Sequence, residues 1–299
     1  MKEMKTIASI DIGSNAVRFL VGSMENGAAD GKKYRKVAFV RVPIRLGEDS
    51  FTAGKIGAER RGKLCEAMNG FSHLMKSYGV LEYRAYATSA LRDAKNGAEV
   101  IAEIREKSGL SVEIISGERE AEIIYAAARP SSGDGGWDKN SLHVDVGGGS
   151  TEVVVYADGR VAEARSFHLG TVRMLKGAVT NKEKERFKGE LRVIAEKYRT
   201  PQIIGSGGNI NKAQKLLNKR EDEPLYFVEL KMLYDSLKRM SFKERMKSFK
   251  LNPYRADVII PALKIFLTIS RICRAPEILV PRVGLVDGIL EMICDERRE

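Results

Sequence analysis

Two carboxylates flank a glycine turn in the segment 142–156, which reads Leu-His-Val-Asp-Val-Gly-Gly-Gly-Ser-Thr-Glu-Val-Val-Val-Tyr. Asp145 ends a run typical of a buried strand, and Glu152 precedes a second β-rich run. Glycines have no Cβ, so backbone N–H groups in the turn can crowd around an anion. Carboxylate oxygens are ligands that magnesium prefers. The segment therefore predicts a phosphate and metal site, and the alternative is a plain β-hairpin. The candidate phosphate-binding residues are Gly147, Gly148, Gly149 and Ser150.

A similar arrangement occurs once before, in the segment 7–21, which reads Ile-Ala-Ser-Ile-Asp-Ile-Gly-Ser-Asn-Ala-Val-Arg-Phe-Leu-Val. The interval between Asp11 and Asp145 is that of a domain rather than of a short repeat. A duplicated domain would place two phosphate-binding turns face to face across one cleft, which suits a chain of phosphates. The alternative for this first copy is a turn without a ligand. Its candidate phosphate-binding residues are Gly13, Ser14 and Asn15.

Composition is that of a globular protein without a membrane span. The 299 residues are enough for two domains, and 43% are hydrophobic and 30% charged. No apolar run approaches the roughly 20 residues that a membrane span needs. The first strand follows the start so closely that no signal peptide is expected. Three scattered cysteines are too few for a disulfide framework or a zinc site. We therefore expect a reduced, cytoplasmic protein.

The charge balance is strongly basic, with a formal net charge of +11. Such an excess indicates acidic partners, such as nucleic acid, polyphosphate or nucleotides, or it serves solubility alone. Charge does not separate these alternatives. The basic stretch 231–250 is predicted to be helical, and such a stretch is more often a solvated helix face than a polyanion track.

Strands and helices alternate along the chain, which indicates mixed sheets covered by helices. Residues 45–50, Arg-Leu-Gly-Glu-Asp-Ser, are predicted to be a loop. Residues 129–137, rich in turn formers, are predicted to be a surface loop near a domain boundary. Residues 205–208, Gly-Ser-Gly-Gly, are predicted to be a third glycine turn between a strand and a helix, where phosphates and nucleotides bind. Gly207 is its candidate phosphate-binding residue, although one glycine cluster alone does not establish a site.

Two further candidates stay ambiguous from residue types alone. Arg92 follows a predicted strand, where its planar guanidinium could grip phosphate oxygens in pairs or form a surface ion pair, and position alone favours the ion pair. Glu118, Glu120 and Glu122 begin a predicted helix, where carboxylates favour the positive end of the helix dipole. That explains the cluster without catalysis, and spacing does not select one of them as a general base.

Together these segments resemble the exopolyphosphatase/guanosine pentaphosphate phosphohydrolase family, which belongs to the superfamily of acetate kinase, sugar kinases, heat-shock ATPases and actin. The segment 11–18 is similar to the family's first phosphate motif, and the segment 145–152 to its second. The ordered set of motifs covers nearly the whole chain. Further matches fall, in order, at 45–48, 87–92, 116–121, 169–173 and 205–208.

The resemblance implies an α/β fold of two ribonuclease H-like (actin-like) domains, with mixed β-sheets flanked by helices and the active site in the interdomain cleft. The expected domains are 1–126 and 127–299, with a final helix at about 285–299 that could pack back on the first domain. By the same resemblance Glu120 is the catalytic residue and Arg92 binds phosphate. The implied metal ligands are Asp145 and Glu152, with help from Asp11.

The function implied by the resemblance is removal of the terminal phosphate from inorganic polyphosphate, with Mg²⁺ or another divalent cation. The alternative on the same fold is a guanosine pentaphosphate 5′-phosphohydrolase, which acts on (p)ppGpp. From other classes, a sugar or acetate kinase relative and a non-catalytic polyanion or nucleotide sensor stay open. We further expect a homodimer, no membrane association and no specific nucleic acid partner.

Two departures from the family pattern affect the expected substrate. Val283 stands where the family's C-terminal motif commonly has an acid. The chain also ends near residue 299, without the helical extension of longer members. From this second departure we expect preference for short chains and distributive cleavage, unless a dimer partner extends the groove.

Overall fold

The structure, a computed structural model, describes residues 5–24, 33–128, 140–157, 160–199 and 202–297. The chain divides into two compact units, Met1–Gly135 with Val283–Glu299, and Gly136–Arg282. The domain boundary expected between residues 126 and 127 falls inside a helix, Gly117–Ala128, which continues past it. The surface loop predicted at 129–137 lies outside the described residues.

The first unit contains a five-stranded mixed sheet. Its strands are β1 (Thr6–Ile12), β2 (Val17–Met24), β3 (Tyr34–Val42), β4 (Val80–Ala87) and β5 (Glu113–Ile114). Their order is β3-β2-β1-β4-β5. Strands β1, β2 and β3 are antiparallel neighbours, whereas β4 runs parallel to β1 and β5 parallel to β4. Strand β1 is buried along almost its whole length because helices cover both faces of the sheet.

Five described helices of this unit precede the second unit in the chain. They are α1 (Leu46–Ala53), α2 (Ala58–Ser77), α3 (Ser89–Asp93), α4 (Gly97–Ser108) and α5 (Gly117–Ala128). The loop predicted at 45–50 is wrong, because most of it belongs to α1. Glu48 and Asp49 occupy the first turn of this helix, where the helix dipole favours acidic side chains, and Gly54 ends it in a left-handed conformation. Gly47 lies inside this helix.

The second unit contains a six-stranded mixed sheet. Its strands are β6 (Ser141–Val146), β7 (Thr151–Ala157), β8 (Arg160–Phe167), β9 (Gln202–Ser206), β10 (Leu225–Tyr226) and β11 (Glu277–Leu279). Their order is β10-β11-β9-β6-β7-β8. Strands β6, β7 and β8 are antiparallel neighbours, and β9 runs parallel to β6, as β4 does to β1. The two sheets therefore share a topology, and the predicted mixed sheets flanked by helices are confirmed.

The second unit's core lies around one apolar helix. Its helices are α6 (Thr171–Leu175), α7 (Asn181–Tyr198), α8 (Gly208–Leu216), α9 (Phe227–Arg239), α10 (Phe242–Ser248), α11 (Pro253–Ala256) and α12 (Ile259–Cys273). Helix α12 is buried on most of its circumference and packs against α7 and α9. The helical stretch predicted at 231–250 corresponds to α9 and α10.

The last helix, α13 (Leu285–Glu296), belongs to the first unit and packs on β1, β2 and α5. The hydroxyl of Ser9 donates to the carbonyl oxygen of Val286 at 2.8 Å. A Cβ on Gly288 would lie 2.2 Å from the carbonyl oxygen of Ile123, so only glycine permits this approach of α13 to α5. None of the described helices is both long and apolar enough to cross a membrane.

Candidate active site

The first glycine turn connects β1 to β2 and holds Asp11 in an ion pair. Asp11 lies opposite Arg18 in the hairpin, and the Arg18 guanidinium contacts its carboxylate. Burial raises the pKa of the Asp11 carboxyl, and Arg18 opposes that rise. The amide of Gly13 donates to the carbonyl oxygen of Ala16 at 3.2 Å, which closes the turn. Asp11 is therefore already engaged by a cationic side chain within its own hairpin.

Helix α1 fixes the backbone of this first turn. The amide of Gly47 donates to the carbonyl oxygen of Ser14 at 2.9 Å, and the amide of Arg45 to that of Asn15 at 3.2 Å. Arg45 adopts a left-handed conformation, with φ of 61°, immediately before the helix. A Cβ on Gly47 would lie 2.5 Å from the Phe51 ring and 3.0 Å from the Ser14 Cβ. The segment 45–47 therefore sets the shape of the candidate phosphate turn.

A residue that sequence reasoning missed, Ser89, also contacts this turn. Because β1 and β4 are parallel neighbours, their carboxyl ends meet at one edge of the sheet. The amide of Thr88 donates to the carbonyl oxygen of Ile12 at 3.2 Å. The hydroxyl oxygens of Ser14 and Ser89 lie 2.8 Å apart, and both side chains are buried. The available signal was a serine two residues after a predicted strand and three residues before Arg92.

Arg92 and Glu120 come together at the same unit's sheet edge. Arg92 Nη1 donates to the carbonyl oxygen of Ile115 at 2.7 Å and lies 3.7 Å from Glu120 Oε2. Glu120 is only 8% exposed, whereas Glu118 and Glu122 are exposed to solvent. Burial thus distinguishes three glutamates that spacing did not. Glu118 and Glu122 fit the helix-dipole explanation, and Glu120 is the one held beside an arginine.

The second glycine turn connects β6 to β7 and carries two facing carboxylates. Asp145 lies directly opposite Glu152 in the hairpin, and oxygens of the two side chains lie within 4.8 Å of each other. The Ser206 hydroxyl donates to Asp145 Oδ1 at 2.5 Å, and the Ser166 hydroxyl to Glu152 Oε1 at 2.9 Å. Like charges directly opposite in a sheet repel each other. The pair is therefore suited to a cation, and sequence reasoning missed both serines that orient it.

In the backbone of the second turn the carbonyl oxygens are hydrogen-bonded, whereas most of the amides are not bonded to any described residue. The amide of Gly147 donates to the carbonyl oxygen of Ser150 at 3.0 Å. The carbonyl oxygen of Gly148 accepts hydrogen bonds from two amides of α6, and Arg173 Nε donates to that of Gly149 at 2.7 Å. Within the described part of the chain, the amides of residues 148–150 have no hydrogen-bond partner. Phosphate binding by these three N–H groups stays a prediction, and the turn leaves them available for it.

The third glycine turn supports the second within the same unit. Gly207 has φ of 107°, and a Cβ there would lie 2.9 Å from the carbonyl oxygen of Val146 and 3.4 Å from Asp145 Oδ1. Helix α8 begins at the next residue, Gly208, so its N-terminal amides open at this turn. A Cβ on Gly208 would lie 3.4 Å from a guanidinium nitrogen of Arg255, which the sequence analysis did not select.

Two mixed sheets, each with an Asp-bearing glycine turn between its first two strands, define an α/β protein with a duplicated topology. The comparisons with known proteins give the family. The model described as "Ppx/GppA phosphatase family" matches residues 28–296, and this chain belongs to that family. The resemblance drawn from the sequence motifs is thereby confirmed.

Two curated relatives match parts of longer proteins. Exopolyphosphatase 1 of Mycobacterium bovis is 32% identical over 168 residues, which cover 56% of this chain and 47% of that protein. Guanosine-5′-triphosphate,3′-diphosphate pyrophosphatase of Vibrio cholerae is 26% identical over 308 residues, which cover 98% of this chain and 60% of that protein. The chain thus spans between about half and three-fifths of the relatives' length.

Two solved structures match along almost their whole length. A Ppx/GppA family member from Aquifex aeolicus has a TM-score of 0.79 and 27% identity, covering 99% of this chain and 100% of that one. An exopolyphosphatase from Cytophaga hutchinsonii has a TM-score of 0.82 and 22% identity, covering 98% of each chain. At that identity the second match bears on the fold alone, and it agrees with the first.

Proposed function

We propose that this protein hydrolyses the terminal phosphoanhydride bond of inorganic polyphosphate. One observation carries the proposal: half-buried Asp145 and buried Glu152 flank a turn with three available amides. Cation ligands beside phosphate-binding N–H groups are the parts that phosphoryl transfer needs. The name of the Mycobacterium bovis relative supports polyphosphate as the substrate.

We assign the divalent cation to Asp145 and Glu152. Mg²⁺ prefers hard oxygen ligands, and carboxylate oxygens of these two residues lie within 4.8 Å of each other. When bound, the ion would neutralise charge that develops on the phosphoryl oxygens. Asp11 is the weaker candidate for a third ligand, because Arg18 already contacts its carboxylate.

Glu120 is the proposed general base. Its carboxylate accepts a proton from the attacking water, whose oxygen forms a bond to the terminal phosphorus. The bond from that phosphorus to the bridging oxygen breaks, and the shortened chain leaves with the bonding electrons. Arg92, next to Glu120, is proposed to bind a phosphate oxygen and keep it in line.

The glycine turns are proposed to act on the same substrate. The amides of residues 148–150 would bind phosphate oxygens, and the first turn, with Gly13, Ser14 and Asn15, would bind the same chain. Gly207 shapes the third turn against Asp145 and opens the N-terminus of α8 to an anion. The proposal thus gives each glycine turn selected from the sequence a role in the same reaction.

Guanosine pentaphosphate is the second candidate substrate, and the name of the Vibrio cholerae relative supports it. The deciding assay measures phosphate release from polyphosphate and from guanosine pentaphosphate, each with and without Mg²⁺. Release from polyphosphate only with the metal supports the proposal, and release from guanosine pentaphosphate alone selects the alternative. A requirement for a sugar or carboxylate acceptor would select the kinase class. Binding without turnover would select a sensor.

The expected homodimer stays a prediction, and sedimentation of the purified chain tests it. The expected preference for short chains also stays a prediction. A gel of partly digested long polyphosphate tests the distributive cleavage expected with that preference, because distributive cleavage leaves a ladder of chains of intermediate length.

A further inference from the structure

Five exposed cations lie on helices α9 and α10 and directly after them. They are Lys238, Arg239, Lys243, Lys247 and Lys250, hereafter the α9–α10 surface. None of the five forms an ion pair with any described residue. Residues 231–250 hold seven Lys or Arg and two Asp or Glu, a net +5, whereas the whole chain carries +11. Much of the protein's excess charge therefore lies in this segment, which carries the α9–α10 surface.

In helix α7, by contrast, ion pairs within the helix neutralise some of the lysine and arginine charges. It holds six Lys or Arg and four Glu. Arg186 pairs with Glu183 and Glu190, and Lys188 pairs with Glu185, all three or four residues apart on the helix. Such spacing lets a helix neutralise its own surface. Among the described residues of α9 and α10 the single such pair is Lys231 with Asp235, so the five cations of the α9–α10 surface stay available to a polyanion.

Positive charge continues from this surface toward the third glycine turn within the second unit. Arg245 of α10 donates to the carbonyl oxygen of Ala256 in α11. The neighbouring residue, Arg255, reaches Gly208 at the start of α8. In α8, burial and then the charges of Arg255 and Lys215 lower the pKa of Lys212. The cations between the turn and α10 are thus close enough to repel each other.

We propose that the α9–α10 surface binds the remote phosphates of a long polyphosphate chain. This rests on the proposed function, which supplies a substrate with one negative charge on every internal phosphate. Remote contacts would raise the affinity for long chains and leave the bond-breaking step of a short chain unchanged. Affinity should therefore rise with chain length, in contrast to the preference for short chains expected from the sequence.

The test is a quadruple variant that removes charge but keeps side-chain size, Lys238→Gln with Arg239→Gln, Lys243→Gln and Lys247→Gln. The KM for polyphosphate of several hundred units should rise about tenfold at low salt. The rate with tripolyphosphate should stay within about twofold. The slope of log affinity for long chains against log salt should fall by about 3, since each lost contact removes about 0.7.

The matched control removes the same four charges from α2 and α4. Lys63→Gln, Lys76→Gln, Arg105→Gln and Lys107→Gln are likewise three lysines and one arginine, all exposed. An equal rise in KM in the control would overturn the proposal, because net charge alone would then explain it. An equal loss of rate with tripolyphosphate in the first variant would also overturn it, because the surface would then belong to the reaction site.

Direct binding separates this proposal from the proposed function. Fluorescence anisotropy with labelled long polyphosphate, without divalent metal, measures the affinity of the protein for the chain. This affinity can be compared between wild type and the variants whether or not the protein hydrolyses polyphosphate. Binding of single-stranded RNA with no binding of polyphosphate would overturn the proposal. Should the quadruple variant fail to fold, the pairs Lys238→Gln with Arg239→Gln and Lys243→Gln with Lys247→Gln should each lower the salt slope by half as much.

Discussion

Asp145 lies directly opposite Glu152 across the β6–β7 hairpin. The matching positions of the β1–β2 hairpin hold Asp11 and Arg18. The same hairpin thus occurs twice with different charges at its facing positions. In one copy an acidic side chain faces a basic one, and in the other two acidic side chains face each other. The first copy neutralises its aspartate internally, whereas the second is suited to an added cation. This asymmetry, rather than the glycines that the turns share, is the reason for proposing Asp145 and Glu152 as the metal ligands.

Asp145→Asn should raise the Mg²⁺ concentration needed for half-maximal activity. Loss of a ligand should cost at least the 10–100-fold that outer-sphere changes cost. Ser166→Ala removes only the hydroxyl that orients Glu152 and should cause a smaller shift in the same direction. A metal titration of phosphate release measures both. An unchanged titration for Asp145→Asn would remove Asp145 from the metal site.

Glu120→Gln should abolish turnover while substrate binding stays nearly unchanged, because the amide keeps the size but does not accept the proton. A general base contributes about 10²–10⁴-fold. Glu118→Gln and Glu122→Gln are the matched controls on the same helix, and both should retain activity because these side chains point into solvent. Initial rates and equilibrium binding measure the two effects separately. Full activity in Glu120→Gln would move the role elsewhere.

Gly47→Ala should lower kcat, because its Cβ would press on Phe51 and Ser14 and displace the first turn. Overpacking of this kind also costs about 1–3 kcal/mol of unfolding free energy. Gly62→Ala in α2 is the control, since a Cβ there meets nothing within 4 Å. It should keep full activity and gain about 0.5–1 kcal/mol. Denaturant unfolding and initial rates compare the two variants, and equal kcat values would contradict the prediction.

Gly170→Ala should weaken phosphate binding by the second turn. Its Cβ would lie 2.4 Å from the carbonyl carbon of Gly149 and 2.5 Å from that of Gly148, and these backbone atoms cannot move aside as a flexible side chain can. Gly189→Ala in α7, where a Cβ meets nothing within 4 Å, should leave binding unchanged. Calorimetry with inorganic phosphate or a non-hydrolysable polyphosphate analogue measures the difference. Equal affinity in both variants would show that the turn tolerates the displacement.

Glu163→Gln should lower the free energy of unfolding by about 1 kcal/mol at pH 7. Hydrogen bonds from Lys197 and then Tyr198, both 2.7 Å long, lower the pKa of Glu163 below its usual value. A carboxyl with a lowered folded-state pKa stabilises the protein above its unfolded pKa and loses that effect as the pH falls through the folded value. The difference from wild type should therefore shrink below about pH 4.5. Glu196→Gln, on the exposed side of α7, should show no difference at any pH.

The features that could be predicted from the sequence are those set by residues close to one another along the chain. Glycines next to Asp11 and Asp145 identify turns because a missing Cβ acts locally, and alternating strands and helices predict mixed sheets. Features set by pairing between distant strands were missed. Ser206 contacts Asp145 only because β9 runs parallel to β6. Glu120 is likewise distinguished by burial, a tertiary property that its spacing from Glu118 does not encode.

The first unit is assembled from both ends of the chain, since α13 covers Ile7, Leu20 and Ile123. During synthesis these apolar side chains leave the ribosome long before their covering helix does. The second unit, contiguous from Gly136 to Arg282, is complete earlier. Although domains generally fold in the order of their synthesis, here the unit that begins first is finished last. Nascent chains halted before residue 285 should therefore hold a folded second unit beside an open first one, the state most exposed to chaperones and proteases.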